Sequence, residues 1–505
     1  MPKTQIEHIV IAGGGTAGWM CAAALAKHFE NTPVRITLVE SPDIGTIGVG
    51  EATIPTLRRF YAALGLSDAE VIRATGATCK LGIEFADWYK PNHSFIHPFG
   101  LFGQDVKGIG FHHYWLKMHQ AGYPAPIDKF SLGVQLAQAG KFSVPSNNPP
   151  SSLSRFDWAL HFDATAFAHL MQKTATMLGA QHIQGTIKHV HLRESDGFIS
   201  HLELKDQPPV GGDLFIDCTG FSGLLIGKAL GASYESWQNQ LLCDKAVVVQ
   251  TELSTPDSPP SFTQAKAHSA GWQWKIPLQT RQGNGHVFSS RFMDEGAATE
   301  LLLKQAQAKP TQEPRVINFQ PGRREKAWVK NCIALGLAAG FLEPLESTSI
   351  ALIETGIEKI KLLFPSKDCD QTLQDEFNDM TRMEYERVRD FIILHYKLNQ
   401  RVGEPFWDTC RDMPVPISLE KKMALFKSNG HLLKYRWEIF QNPSWIALYT
   451  GFHYLPDSYN PGADSFSMNY LEGAFNAMKE SVSTAVAQAP THQAYLASIM
   501  KGFQQ

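Results

Sequence analysis

The chain has no surplus of charge of either sign: across 505 residues, 46 lysines and arginines face 49 aspartates and glutamates, a net charge of -3. Nucleic-acid binding needs a basic field or stripe, so that class of partner is set aside. Cysteine is sparse. The seven residues run from Cys21 to Cys410, an odd number with no C-x-x-C pair. A disulfide framework or a structural zinc site needs closer, paired spacing, and a reduced cytoplasmic protein fits better. No stretch approaches the roughly 18 consecutive apolar residues of a membrane span. The first eight residues lack a basic region followed by an apolar one, so no export signal is expected. Internal repeats, low-complexity tracts and long linkers are missing as well. The expectation is a soluble globular protein with no membrane, nucleic-acid or metal partner.

What the chain does have is apolar and aromatic bulk: 43% apolar residues, with 30 Phe, 13 Tyr and 11 Trp. That is enough to bury a large core, which excludes disorder. At about 150 residues per domain the length suggests about three domains, or one large interleaved unit.

The opening reads as a β-α-β unit. Residues 9–12 form a short apolar run, Gly13-Gly14-Gly15-Thr16-Ala17-Gly18 follows, residues 19–29 are Ala-rich, and the apolar run 34–39 ends at Glu40. Residues 51–75 and 155–178 read as helical. Residues 182–220 read as strands around an Asp196-Gly197 turn. Two more apolar strands run into glycine turns: 214–216 into Asp217-Cys218-Thr219-Gly220, and 332–335 into Gly336-Leu337-Ala338-Ala339-Gly340. From 368 to 440 the pattern is mostly amphipathic helix, with Phe391, Leu394 and Leu398 at helical spacing. Residues 145–153 and 255–261 are rich in Pro and Ser and read as surface loops. Three strand-to-glycine turns spread over 330 residues imply one nucleotide site assembled from distant segments, with the insertions forming a second module.

The pattern G-x-G-x-x-G permits a tight turn and close backbone approach to a pyrophosphate, whose charge sits on free N–H groups at a helix N-terminus. Glu40 follows Gly18 by 22 residues at the end of the second strand, where a carboxylate accepts hydrogen bonds from ribose hydroxyls. A single such fingerprint, with two further turns in support, favours FAD over a nicotinamide dinucleotide. Taken alone, Gly13–Gly18 is also compatible with a plain glycine-rich turn.

Four stretches carry a family likeness: Gly13 to Gly18 followed by Trp19; Gly48-Val49-Gly50-Glu51-Ala52-Thr53; Trp272-Gln273-Trp274-Lys275-Ile276-Pro277; and Phe341-Leu342-Glu343-Pro344-Leu345-Glu346-Ser347-Thr348. With these the chain resembles the flavin-dependent tryptophan halogenases along nearly its whole length. The W-x-W-x-I-P stretch separates that family from related aromatic hydroxylases. The resemblance implies an α/β fold, a Rossmann-type FAD-binding flavoprotein of the p-hydroxybenzoate-hydroxylase kind with an added, mostly helical substrate module. It implies FADH2 from a separate NAD(P)H-dependent flavin reductase, and O2 and a halide (chloride or bromide) as cosubstrates. The hypohalous acid so formed travels through a tunnel to an electron-rich indole-type ring. Homodimers are common among members. The expected division is an FAD-binding module of residues 1–60, 151–225 and 325–365, and a substrate module of 61–150, 226–324 and 366–505.

Residue by residue, the resemblance assigns FAD binding to Gly13, Gly15, Thr16, Ala17, Gly18, Glu40, Val49, Gly50, Ala52, Leu337 and Ile350. Lys80 matches the catalytic lysine. Its setting, Cys79-Lys80-Leu81-Gly82-Ile83-Glu84-Phe85, is apolar, and composition alone would make it an exposed turn residue. Such an amine either holds the hypohalous acid by a hydrogen bond or forms a haloamine. An apolar site eases the second route by lowering the lysine pKa. Glu346 matches the carboxylate near that lysine, which polarises the oxidant or takes the ring proton. Glu343 and Glu346, three apart, would share one side of a helix; first-turn acids beside a helix N-terminus are the plainer reading. Backbone N–H groups at Thr348 and Ser349 fall where the family binds halide. Tryptophan-specific members have Gly at the position of Ser349, which leaves halide preference open.

His97 and Phe99 match a His-x-Phe pair that sandwiches the indole, and Trp445 and Phe452 complete the expected ring contacts. His93 and His97, four apart, would make a metal pair, but Pro98 and the missing third ligand argue against it. Trp272 and Trp274 read as a wall between substrate and flavin, or as a core aromatic pair. Tryptophan-specific members anchor the substrate zwitterion with a Tyr-Tyr-acid segment, and no Tyr-Tyr pair exists in this chain. Tryptophan, indole and larger indoles therefore all stay open. The alternative function is an FAD-dependent aromatic hydroxylase on the same fold; a non-catalytic flavin-binding protein is the third reading.

Overall fold

The computed structural model describes residues 4–43, 51–146, 148–149, 151–253 and 259–501. The chain divides into two compact units, one of Met1–Ala77, Phe162–Asp244 and Asn318–Glu386, the other of Thr78–His161, Lys245–Ile317 and Arg387–Gln505. Each module thus starts and stops at other points than the sequence suggested. At the first division, 77/78 against 60/61, helices Thr56–Ala63 and Asp68–Thr75 pack on helices of the first unit.

The first unit is built on a six-stranded sheet in the order Trp328–Val329, Cys332–Ala334, Leu214–Asp217, His8–Ala12, Arg35–Glu40, Gln181–Gln184. All pairs are parallel except the first. Parallel strands covered on both faces need continuous apolar side chains, and Ile9 to Ala12 and Leu214 to Ile216 are fully buried. The three strands that end in glycine turns are immediate neighbours and parallel, so their turns lie in a row at the C-terminal ends of those strands. Helix Thr16–His28 covers the sheet and packs on helices Ala164–Met177 and Ser349–Leu362. Its run Ala22-Ala23-Ala24 is buried, small residues that let the helices approach closely.

Several local expectations are corrected. Residues 155–178 are not one helix: strand Ala159–Phe162 comes first, and the helix begins at Ala164, where the Asp163 carboxylate accepts from the N–H groups of Thr165 and Ala166. Residues 51–75 break into strand Glu51–Ala52 and two helices, separated by the left-handed Gly65 and a capping box between Ser67 and Glu70. The span 368–440 holds helices Gln371–Lys397, Pro405–Asp412 and Ile417–Asn429, and is irregular from 430 on.

The second unit centres on a seven-stranded sheet in the order Arg315–Asn318, Lys245–Thr251, Gln282–Phe288, Gly271–Pro277, Thr263–His268, Gly82–Ala86, Ser94–Pro98. Thr263–His268 runs parallel to Gly82–Ala86, whereas the pairs Lys245–Thr251 with Gln282–Phe288, Gln282–Phe288 with Gly271–Pro277, Gly271–Pro277 with Thr263–His268, and Gly82–Ala86 with Ser94–Pro98 are antiparallel. A short strand, Thr78–Lys80, pairs with Ala159–Phe162 in register Thr78–His161, Cys79–Leu160 and Lys80–Ala159. Helices Pro405–Asp412, Ile417–Asn429, Asn442–Gly451, Met468–Gln488 and His492–Lys501 make up the rest of its C-terminal part. The seven cysteines are buried and none is in a disulfide. Among the described residues no helix is long and apolar enough to cross a membrane.

Candidate active site

The glycine turns are stitched together by backbone bonds that continue the sheet ladder. Gly13 N–H donates to Val39 O, Cys218 N–H to Ala12 O, and Leu335 N–H to Asp217 O, at 2.8, 2.8 and 2.9 Å. Gly13 has φ 107°, and a Cβ there would stand 2.3 Å from Cys218 O, so the first two turns touch through backbone alone. The Glu40 carboxylate occupies the space beside Gly14, where a Cβ would lie 2.1 Å from it. Its other neighbour is the ring of His182, with Nε2 at 3.1 Å. Helix Thr16–His28 has no side-chain cap and no acid in its first turn. Residues 13–17 are half-buried, an open backbone cradle with an acid at its rim. These features fit a dinucleotide pyrophosphate and ribose. Asp217, by contrast, is spent on its own turn, accepting from Thr219, Leu225 and Ile226.

Leu337 lies half-buried in the third turn, Ile350 is buried in helix Ser349–Leu362, and Ala52 is half-buried. Val49 and Gly50 lie outside the described residues, as does Gly48.

Glu343 and Glu346 are both buried, but they do not share a helix face. Glu343 is extended, Pro344–Glu346 is a single 3-10 turn, and Ser347 takes a left-handed φ of 58° before helix Ser349–Leu362 begins. Pro344 starts the tight turn and the left-handed Ser347 ends it, which reorients the chain between the acid and the helix. A non-glycine residue held there stores strain of the kind found at functional sites. Thr348 caps the helix with backbone only. It is fully buried and its Oγ1 has no hydrogen-bond partner. The first turn of this helix has no acid, so an anion there meets no opposing charge from it.

In the second unit Lys80 is fully buried, not an exposed turn residue. Its strand is fixed from several sides. Leu81 N–H donates to Ser261 O at 2.7 Å, and Phe99 N–H returns to Leu81 O at 2.9 Å. The second bond places Phe99 beside the lysine, with Nζ 5.2 Å from the ring centre. Ser261 is fully buried and Pro259 is buried, so the described end of the expected surface loop 255–261 is interior, held there by the Ser261 carbonyl, which accepts from Leu81 N–H, and the Pro259 carbonyl, which accepts from His492. Thr78 donates to Pro277 O and therefore accepts from His161 Nδ1, leaving His161 Nε2 to accept from Thr263. Burial, then the Lys80 charge and His492, keep His161 neutral.

His492, 413 residues from Cys79, closes the arrangement. Cys79 N–H can only donate, so His492 Nε2 accepts (3.0 Å) and its Nδ1–H donates to Pro259 O (2.8 Å). Nothing in the local sequence announces this clamp. Burial lowers the His492 pKa from 6.5 to about 4. A base with a depressed folded pKa stabilises fully above 6.5, and its contribution is lost as the pH falls from 6.5 towards 4. We expect His492→Ala to cost about 2–4 kcal/mol through the lost side chain and unpaired backbone groups. It should also flatten the acid slope of stability in that window. Thermal unfolding of both proteins from pH 4 to 8 checks this, and an unchanged slope refutes a neutral His492 in the folded protein.

His97, on strand Ser94–Pro98, is buried and faces Phe391 at 5.8 Å and Phe440 at 6.2 Å between ring centres. Phe391 stacks on Phe440 at 3.8 Å and meets Trp445 edge-on at 5.0 Å. Phe452 sits against Phe95 and His395. Phe391, Phe440 and Phe95 belong to this aromatic set although the sequence reading did not select them for it; Phe95 shares the strand of His97, which is the one signal that could have found it. His93 pairs with His453 (3.1 Å between Nε2 atoms), not with His97. Trp272 and Trp274 lie on one strand with ring centres 5.8 Å apart, and both indole N–H groups are buried without a partner. Gly285, opposite Trp274 in the register, leaves room for that indole to lie flat on the next strand. Among the described residues no three His, Cys, Asp or Glu side chains gather to hold a metal.

A family model for tryptophan halogenase matches residues 8–468. Tryptophan 6-halogenase SttH of Streptomyces toxytricini is 35% identical over 447 residues, spanning 83% of this chain and 84% of that protein. Among solved structures, BrvH, a flavin-dependent halogenase from Brevundimonas sp. BAL3, superposes with a TM-score of 0.95 at 54% identity, covering 98% of this chain and 99% of that one. Xcc4156, a flavin-dependent halogenase from Xanthomonas campestris, gives 0.94 at 40% identity, covering 98% of each.

Proposed function

The chain belongs to the tryptophan halogenase family and is an FADH2-dependent halogenase of indole-type rings; from that premise we propose that Lys80 and Glu346 carry the reaction. The family draws reduced flavin from a separate reductase, here NAD(P)H-dependent. In this reading the first unit holds the cofactor through Gly13, Gly15, Thr16, Ala17, Gly18, Glu40, Ala52, Leu337 and Ile350. Bound reduced flavin supplies, with O2 and halide, the electrophilic halogen. Backbone N–H groups of Thr348 and Ser349 hold the halide, and Thr348 Oγ1, buried and unpartnered, is a further donor.

The single observation that carries the reading is the enclosed amine of Lys80, 5.2 Å from the Phe99 ring on an apolar strand. Burying a lysine costs free energy, and groups held in this way cluster at functional sites. It hands the halogen to the substrate either as a hydrogen-bond donor or through an N–halogen bond. His97, Phe99, Trp445 and Phe452 orient the ring, and Glu346 polarises the oxidant or removes the ring proton.

The substrate is an indole lacking a zwitterion. The segment Ser444 to Tyr454 offers rings but no Tyr-Tyr-acid anchor, and burying an amino acid's two charges without partners is costly. With a flavin reductase, FAD, NADH and bromide or chloride, indole is expected to turn over at least about tenfold better in kcat/KM than free tryptophan. Mass spectrometry of the products over both halides checks this, and faster tryptophan turnover refutes it.

A further inference from the structure

Trp445 is not held by hydrophobic packing alone. On helix Ile417–Asn429, Lys422 points inward and is 5% exposed, as is the side chain of its partner Glu438, with Nζ 2.7 Å from Oε1. The same Nζ stands 3.7 Å from the centre of the Trp445 ring. A second ring, Tyr435, lies 5.5 Å from Lys422 Nζ and 4.4 Å from the Arg387 guanidinium. Asp390, 3.7 Å from Arg387, paired with Arg389 at 2.8 Å and bonded to Ser418, completes the charged set. Buried ion pairs are weak contributors to stability, and apolar replacements are often neutral or better. The placement of this one therefore asks for another explanation. A desolvated ammonium over an indole face is attracted to the ring quadrupole and fixes the tilt of the ring.

We infer that Lys422, held by Glu438, is a positioning residue that sets the angle of Trp445 and through it the ring carbon that is halogenated. The inference rests on Trp445 lining the substrate. The route is short: Trp445 meets Phe391 edge-on, and Phe391 and Phe440 flank His97. If Trp445 loses its cation, its tilt relaxes, and the stacked rings that orient the substrate relax with it.

The test uses the full chain with its reductase, indole and bromide. The double variant Lys422→Met with Glu438→Gln removes both charges and strands neither. It is expected to shift the ratio of bromoindole isomers by at least about fivefold and to raise KM about tenfold, with kcat changing less than about threefold. Lys422→Arg keeps a cation over the ring and should hold the isomer ratio within about twofold of wild type. A folded double variant with an unchanged isomer ratio overturns the inference, since a merely structural role does not predict a change in regiochemistry. If that double variant does not fold, Lys422→Gln with Glu438→Gln gives the same reading, because two amides keep a hydrogen bond while neither charge remains. Wild-type protein that makes no halogenated indole with either halide overturns the functional reading instead. The inference is then decided by calorimetric Kd for indole, which should weaken about tenfold in the double variant. A Kd within about twofold of wild type refutes it.

Discussion

Lys80→Ala is expected to lower halogenated product at least about a thousandfold while reduced flavin is still oxidised by O2. Both routes open to the amine vanish with it: no donor remains to hold hypohalous acid, and no nitrogen remains to carry the halogen. Because Lys80 is fully buried, the alanine variant also opens a cavity, so Lys80→Met, which keeps most of the volume, is the companion variant. Loss of product in both, with oxygen consumption intact, places the effect in halogen transfer. Lys80→Arg divides the two routes. A guanidinium still donates hydrogen bonds but is always charged and a poor nucleophile, so activity retained there favours steering by hydrogen bond. The measurement is product mass against flavin oxidation in the same reaction. An aromatic hydroxylase would keep an oxygenated product in the alanine variant, and finding one would overturn the assignment.

The reason Lys80 could be selected at all is uneven legibility along the chain. The nucleotide half was plain because parallel strands buried on both faces must be continuous apolar runs, each ending where glycine lets the backbone turn. The runs before Gly13, Cys218 and Gly336 are adjacent strands of one sheet, as their shared pattern implied. Strand Ala159–Phe162 was hidden because four fully buried residues ahead of a helix carry no period of their own. Ser261 and His492 were hidden because their bonds to the lysine strand span 180 and 413 residues, and backbone carbonyls have no sequence signature. Lys422 was hidden for a third reason: a lysine on a helix carries no local mark of burial, and only the meeting of Glu438 and Trp445 in space makes it interior. The roles of Lys80, Glu346 and Thr348 came from family likeness, not from periodicity. Physics adds the reason for expecting chemistry there, which is the burial of groups that water would otherwise stabilise.

Glu346→Gln should cost about a hundredfold to a thousandfold in kcat, with little change in KM for indole. Glutamine keeps the shape and a carbonyl acceptor, so the tight turn Pro344–Glu346 and the left-handed Ser347 that follows it survive, and loss of the charge is isolated. Ring halogenation forms a cationic intermediate that must lose a proton from the attacked carbon. If Glu346 is the base, removing it makes that step slow, and indole deuterated at the reacting position acquires a primary isotope effect that the wild type lacks. If Glu346 only polarises the oxidant, the variant is slow before the proton leaves and no isotope effect appears. Comparing product formation from protiated and deuterated indole in the two proteins separates these roles. A variant with wild-type kcat would remove Glu346 from the reaction altogether.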